Sequence, residues 1–238
     1  MTLTDTAAAP EDLLGIGPPT LGSRRLAAVT AGDAVHPDLV PTALGGPSGA
    51  AAVAKRAIDL AGAALLLLAF APVILVGAIG VRLTDGGPSF FRQVRVGRDG
   101  RAFTMWKLRT FPADHVDDEF SRPVSACPTA WGRFLRRTSI DELPKLFNVL
   151  RGDMSLVGPR PERPHFAIPL AVDIHGYRER HRARAGITGL AQVEGLWGNS
   201  SIEERIDADN QYVDGWSLGL DLRILLRTIR AVGTKFTH

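Results

Sequence analysis

One cysteine, Cys127, is all the thiol chemistry this 238-residue chain contains. No internal disulfide can form, which points to a reducing compartment, and Cys127 is expected to be a small buried apolar side chain rather than a nucleophile. The GxxxxGK[ST] loop of ordinary nucleoside triphosphatases is missing. No GxGxxG follows a strand, and the nearest approach, RVGRDGR at 95–101, reads as a hairpin turn. His165, His175 and His181 lack metal-ligand spacing, and neither Ser139 nor Ser155 stands in a nucleophile elbow. The start of the chain has no basic stretch followed by a continuous apolar run, so no secretory leader is expected there. Residues 1–50 are rich in Ala, Gly, Pro and Thr with almost no apolar periodicity, and are expected to form a disordered tail.

A global excess of one charge is nearly absent as well. Lys+Arg number 28 and Asp+Glu 25, a net charge of +3. The distribution is more telling: residues 82–109 hold Arg82, Arg92, Arg95, Arg98, Arg101, Lys107 and Arg109 against only Asp85 and Asp99. Such a cluster attracts phosphates, acidic lipids or nucleic acid. Nucleic acid fits poorly, because no nucleic-acid motif is present and a long apolar segment precedes the cluster.

That segment, residues 60–81, is free of charge over 22 residues. As a straight helix it would run about 33 Å, enough for a bilayer core. Pro72 near its middle removes a helix hydrogen bond and bends the chain. Basic residues flank both ends, with Lys55 and Arg56 before and Arg82 after, so both flanks favour the cytoplasmic face. A re-entrant helix hairpin over 55–82, broken at Pro72 and returning to the same side, satisfies both observations; a true span and a buried soluble helix are the alternatives.

Beyond it, 91–96 and 102–108 read as the arms of a β-hairpin around Arg98-Asp99-Gly100. Residues 111–127 are polar and expected to be a loop. Residues 130–137 read as a short basic amphipathic helix: Trp131, Phe134 and Leu135 share one side, and Arg133, Arg136 and Arg137 the other, as suits a membrane interface; an ordinary surface helix with Trp131 in the core is the alternative. Residues 141–150 read as a helix stopped by Gly152, with Pro144 in its first turn. A further helix is expected through 165–184, then Gly-rich loop and short strand, then an amphipathic helix over 221–232. The fold class is α+β, mostly helical: a membrane hairpin and a small cytoplasmic catalytic domain with a β-hairpin and interfacial helices, together spanning 51–238.

Asp141-Glu142 is the acidic pair of interest. A helix start and nearby arginines both favour an ionised carboxylate, which can attack phosphorus, and a neighbouring carboxylate can hold Mg²⁺. The plain reading is a capping box, Ser139-x-x-Glu142, at an ordinary helix start. Lys107 and Arg109 end a strand nearby in sequence order, and Arg151, Arg160 and Arg163 surround the GPRP turn; guanidinium forks suit phosphate oxygens.

Taken together, KRAIDL at 55–60, the Pro-broken apolar stretch, GGPSFFRQVRVGRDGRAFTMWKLRT, WGRFLRRTSIDELPKLFNVLRGDMSLVGPRPE, GITGLAQVEG and YVDGWSLGLDLRILLRTI resemble the bacterial sugar transferases, the monotopic phosphoglycosyl transferases acting on polyprenyl phosphate. The likeness runs over 55–229, and the block 137–161 is its most specific part. The resemblance implies that Asp141 is a nucleophile attacking the sugar-bearing phosphate of a UDP-sugar, with release of UMP and formation of a covalent aspartyl phospho-sugar. An undecaprenyl (polyprenyl) phosphate then accepts the phospho-sugar, which starts a polysaccharide or glycoconjugate. It implies Glu142 as partner for Mg²⁺ or proton transfer, so Asp141 and Glu142 are the expected metal ligands. Lys107, Arg109, Arg137 and Arg160 are expected at the substrate phosphates, and Gln192 in the donor loop. A place on the cytoplasmic face of the plasma membrane follows, with homo-oligomer formation left open. Two departures concern the donor loop: Arg184-Ala185-Gly186 stands for Arg-Pro-Gly, and Val-Glu-Gly-Leu-Trp-Gly follows Gln192 where relatives often read Gly-Arg. Ala71 replaces a Ser common before the helix-breaking Pro. The larger relatives carry four more membrane helices before the hairpin and residues 1–50 carry none, so a compact form is expected. The competing reading is a non-catalytic peripheral membrane protein that binds acidic lipids or an assembly partner.

Overall fold

A computed structural model of the chain describes residues 35–43, 45–113, 127–196 and 200–235. Its first long element is helix α1, Gly49–Asp85, which ends at Gly86 in the left-handed conformation (φ 71°). The uncharged composition leaves no polar face on which to stop, so α1 runs through Pro72 as a single helical element. Proline removes one backbone bond yet leaves the turns on either side helical, so the helix is not interrupted at Pro72. Among the described residues, α1 alone is long and apolar enough to cross a membrane, and this gives the molecule its membrane association.

Both ends of α1 are packed and its middle is bare. Lys55, Asp59 and Ala63 are buried at one end, and Ile74, Gly77 and Val81 at the other, whereas Leu65, Leu68, Leu75 and Val76 are more than half exposed. The first end is held by polar bonds. Lys55 Nζ donates to Asp221 (2.7 Å) and to the Val157 carbonyl (3.2 Å). Arg56 donates to the carbonyls of Val149 (2.7 Å) and Leu150 (3.1 Å), and Asp59 accepts from Ser155 Oγ and the Leu156 amide, both at 3.0 Å. The other end fits by shape: a Cβ on Gly80 would lie 2.3 Å from the Trp131 ring, so only glycine lets that ring approach.

Strands β1, Phe90–Val96, and β2, Ala102–Leu108, pair antiparallel with Phe90 opposite Leu108 and Val96 opposite Ala102. Asp99 and Gly100 take positive φ in the turn between them, as the Arg98-Asp99-Gly100 signal predicts. Helix α2, Ala130–Thr138, is capped by Thr129, whose hydroxyl accepts from the Gly132 amide. Leu135 is fully buried and the Trp131 Nε1–H donates to the Gly77 carbonyl of α1, while Phe134 stays half exposed. The amphipathic reading of α2 therefore stands, with Trp131 packed onto α1.

Helix α3, Lys145–Arg151, ends at Gly152 (φ 105°) and leads into strand β3, Met154–Val157. Strand β4, Ala185–Thr188, pairs with β3 in parallel. Helix α4 is Pro164–Asp173, α5 is Leu190–Val193, α6 is Ile202–Asp214 and α7 is Leu218–Lys235. The single helix expected over 165–184 is two pieces, because Gly176 (φ 77°) separates α4 from a tight turn at Tyr177–Arg182. The main core lies between these layers: Met105, Leu146, Val149, Met154, Tyr212 and Ile224 are among its buried members.

The expected tail is narrower than its composition indicates. Leu39 is buried with Val96, Ala167 and Tyr177, and Thr42 and Ala43 donate to Glu179. Residues 1–34 lie outside the described residues, as does 114–126, most of the expected polar loop. Cys127 is exposed, not the buried side chain expected of it.

Candidate active site

Ser139 sets the site. It takes the left-handed conformation (φ 58°) at the end of α2 and its amide caps that helix on the carbonyls of Leu135 and Arg136. The chain then reverses into one tight turn, Ile140–Glu142, with Pro144 leading into α3. The expected capping box does not form: Ser139 makes no side-chain cap, and the Glu142 amide bonds the Ser139 carbonyl instead. Glu142 is thus free for other partners. Asn148 ties α3 to β2, accepting from the Trp106 amide (3.0 Å) and donating to the Thr104 carbonyl (2.6 Å). That tie delivers Lys107 to Glu142.

Glu142 holds two ammonium groups. Lys107 Nζ donates to its Oε1 at 2.6 Å, and Lys145, three residues on, donates to its Oε2. Burial resists the ionised carboxylate, yet Lys145, Lys107 and Arg160 outweigh it and hold Glu142 well below the usual range. Lys145 is 1% exposed. Burial pulls its ammonium down to about 7 against the attraction of Glu142.

Asp141 differs from its neighbour. It is buried, and among the described residues no hydrogen bond is made to its carboxylate. Burial first, and then the adjacent Glu142 charge, push it up to about 6, against the pull of Lys107, Lys145 and Arg136. A carboxylate that is desolvated, uncommitted and still surrounded by cations is a candidate nucleophile.

The remaining expected residues divide. Arg160 is exposed on the loop after β3, and its charge acts on both Glu142 and Lys145. Arg109 is committed elsewhere: its guanidinium makes a two-pronged pair with Asp85 and donates to the carbonyls of Pro88 (2.7 Å) and Phe111 (2.8 Å). Every nitrogen of the fork is engaged in fastening the end of α1, whereas the expected role of Arg109 is at the substrate phosphates. Arg137 is exposed on α2, and it is Arg136 whose charge reaches Asp141. Gln192 lies on α5, donating to the Ile187 carbonyl while its Oε1 is buried without a partner. Lys145 is the site residue that the sequence reading misses, and its i,i+3 spacing from Glu142 is the available signal.

Between α1 and α2 runs an apolar groove of about 340 Å³ lined by Pro72, Val73, Val76, Gly77, Trp131, Phe134, Leu135 and Ile140, the residue before Asp141. A second hollow of about 290 Å³, between α5, α6 and α7, contains none of these site residues. The described residues hold no group of three or more His, Cys, Asp or Glu side chains suited to a metal. The pair Asp141 and Glu142 suits a hard cation that keeps its waters and shares a substrate's phosphates, as Mg²⁺ does.

Comparison with known proteins gives this arrangement a family. The model of the bacterial sugar transferases matches residues 50–235. A UDP-glucose:undecaprenyl-phosphate glucose-1-phosphate transferase of Caulobacter vibrioides is 45% identical over 198 residues, covering 80% of this chain and 74% of that one. A protein of the same name from Klebsiella pneumoniae is 42% identical, covering 74% of this chain and 39% of its own. A UDP-N-acetylgalactosamine-undecaprenyl-phosphate N-acetylgalactosaminephosphotransferase of Aeromonas hydrophila is 37% identical, covering 80% and 46%. The chain thus spans less than half the length of the last two. The chain belongs to the bacterial sugar transferase family and is a phosphoglycosyl transferase.

Proposed function

We propose that the chain transfers a sugar-1-phosphate from a UDP-sugar to undecaprenyl phosphate through Asp141. The observation that carries this reading is one buried carboxylate, Asp141, held among cations and directly following Ile140, which lines an apolar groove. The cations suit the diphosphate of the donor and the groove suits the isoprenoid chain of the acceptor. An oxygen of Asp141 attacks the sugar-bearing phosphorus, the bond to the bridging oxygen breaks, and UMP leaves. A phosphate oxygen of the acceptor then attacks the same phosphorus, the bond to Asp141 breaks, and the carboxylate is restored. Lys107, Lys145, Arg136 and Arg160 offset the Coulomb repulsion between a carboxylate and an anionic phosphate. Mg²⁺ would be held by Asp141, Glu142 and the diphosphate, and would supply further charge neutralisation once bound; Glu142 yields a lysine contact to take part.

The same reading makes α1 re-entrant. Both of its ends pack on one body while residues 64–73 include no buried side chain, so the bare apex enters the bilayer and both flanks stay on the cytoplasmic face. Phe134, Phe147, Leu222, Leu226 and Ile229 are exposed beside Arg133, Arg151, Arg223 and Arg227, as suits helices lying at the headgroups. The test is direct. The full chain in detergent, given UDP-glucose and Mg²⁺ without lipid, should release UMP and retain labelled phospho-glucose, and Asp141→Asn should do neither. A chain that releases no UMP from any UDP-sugar fits the competing reading of a non-catalytic membrane-binding protein.

A further inference from the structure

The loop 158–163 carries Arg160, and it is held at the carbonyls of residues 159–163. The Pro159 carbonyl accepts from the Gly186 amide of β4 at 2.8 Å. The Arg160 carbonyl accepts from Arg180 Nη2 at 2.7 Å. The Pro161 carbonyl accepts from Arg95 Nη1 at 3.1 Å, and the Glu162 carbonyl from the Val96 amide at 2.9 Å. The Arg163 carbonyl accepts from the Ala167 amide at the start of α4. Two prolines remove donors from this stretch and limit its φ angles, so the loop cannot bond to itself and depends on these partners. The approach to β4 is closer than any side chain permits: a Cβ on Gly186 would lie 2.2 Å from the Gly158 amide nitrogen.

Among these partners Arg180 is the one that bonds Arg160 itself. It is 4% exposed in the turn Tyr177–Arg182, and the same Nη2 that bonds the Arg160 carbonyl also bonds Asp209 of α6 at 2.5 Å. Asp209 is 2% exposed. The Arg180 Nη1 also donates to the Tyr177 hydroxyl at 3.4 Å. The Nη2 contact falls on the carbonyl of the very residue whose charge acts on Glu142 and Lys145.

We propose that Arg180 is a positioning residue for the transfer: by tying the Arg160 carbonyl to Asp209, it fixes where the Arg160 guanidinium stands against the donor diphosphate. The inference rests on the reading that Arg160 binds that diphosphate. Lysine at 180 keeps the charge, but its Nζ ends one bond short of the Nη2 that touches both Asp209 and the Arg160 carbonyl.

The test is a double-mutant cycle read by the affinity of the purified full chain for UDP with Mg²⁺, since UDP carries the diphosphate whatever the sugar. Arg160→Ala should weaken UDP binding about tenfold or more. Arg180→Lys should weaken it about fivefold in the parent chain and leave it unchanged in the Arg160→Ala background. Equal losses in both backgrounds would make Arg180 a structural residue and overturn the proposal. If Arg160→Ala leaves UDP binding intact, the role given to Arg160 fails instead, which separates the two ideas. Thermal melting checks that each variant folds. Should Arg180→Lys not fold, Asp209→Asn replaces it in the same cycle, and if both unfold the chain, Arg180 serves stability and the proposal is overturned.

Discussion

Two buried ionic clusters in this molecule use the same residue types to opposite ends. At the base of α1, Lys55, Asp59 and Asp221 are joined by Ser155, Tyr212 and the backbone of β3, and the charged groups pair or accept hydrogen bonds. At the turn after α2, Glu142 takes two lysines and Asp141 is left with no hydrogen bond among the described residues. Desolvation of paired charges is largely offset by their mutual attraction; desolvation of an uncommitted one is not. The first cluster is therefore a fastening, and the second stores an unfavourable interaction at one oxygen pair where a phosphorus can relieve it.

The comparison breaks first on the consequences of losing one acid. Asp141→Asn should lower UMP release by at least about a thousandfold without loss of melting temperature. Asp221→Asn should do the reverse. It strips Lys55 of its closest partner and should destabilise the chain by about 3 kcal/mol, read as a lower melting temperature, while UMP release per folded molecule stays within about twofold. If Asp141→Asn melts earlier and Asp221→Asn melts normally, the two clusters have been assigned the wrong way round.

Much of this was legible before any coordinates, and the failures are instructive. The β-hairpin followed from Arg98-Asp99-Gly100 because turn chemistry is local. The carboxylate pair followed from its own composition and from the likeness to a family. Arg109 did not: its partner is Asp85, 24 residues away, and past the end of β2 strand alternation no longer says where a side chain points. Arg137 was favoured over Arg136 because both are basic and adjacent. The left-handed Ser139 then turns the chain back so that Arg136 meets Asp141, and a serine, unlike a glycine, does not announce that turn. Pro72 does not interrupt the helical assignment of α1, since proline perturbs a helix locally.

A pH titration sharpens the contrast at intermediate size. Asp141 must be ionised to attack, so UMP release should fall about tenfold per unit below pH 6 and level off above it. Stability runs the other way. With its folded value raised from 3.8 to about 6, the folded chain holds this proton more tightly than the unfolded chain. Its contribution is present in full below about pH 4 and lost as pH rises to about 6, by on the order of 2 kcal/mol. Asp141→Asn should lack that decline, whereas an unchanged melting curve across pH 4–7 in both proteins would mean that Asp141 is not desolvated.

The smallest effect is the most discriminating, because it tests whether the cations act on Asp141 as charges. Lys145 sits three residues from Glu142 and its charge favours ionised Asp141. Burial brings Lys145 down to about 7, so the parent chain carries this charge at pH 6 and has largely lost it at pH 8. Lys145→Gln keeps a donor for Glu142 but has no charge at any pH. The acid limb of UMP release in this variant should therefore move upward by on the order of half a pH unit, and its rate should fall below the parent rate at pH 6 yet converge with it at pH 8. A uniform loss across the whole range would mean that Lys145 fills space or shapes Glu142, and that the electrostatic link to the nucleophile is absent.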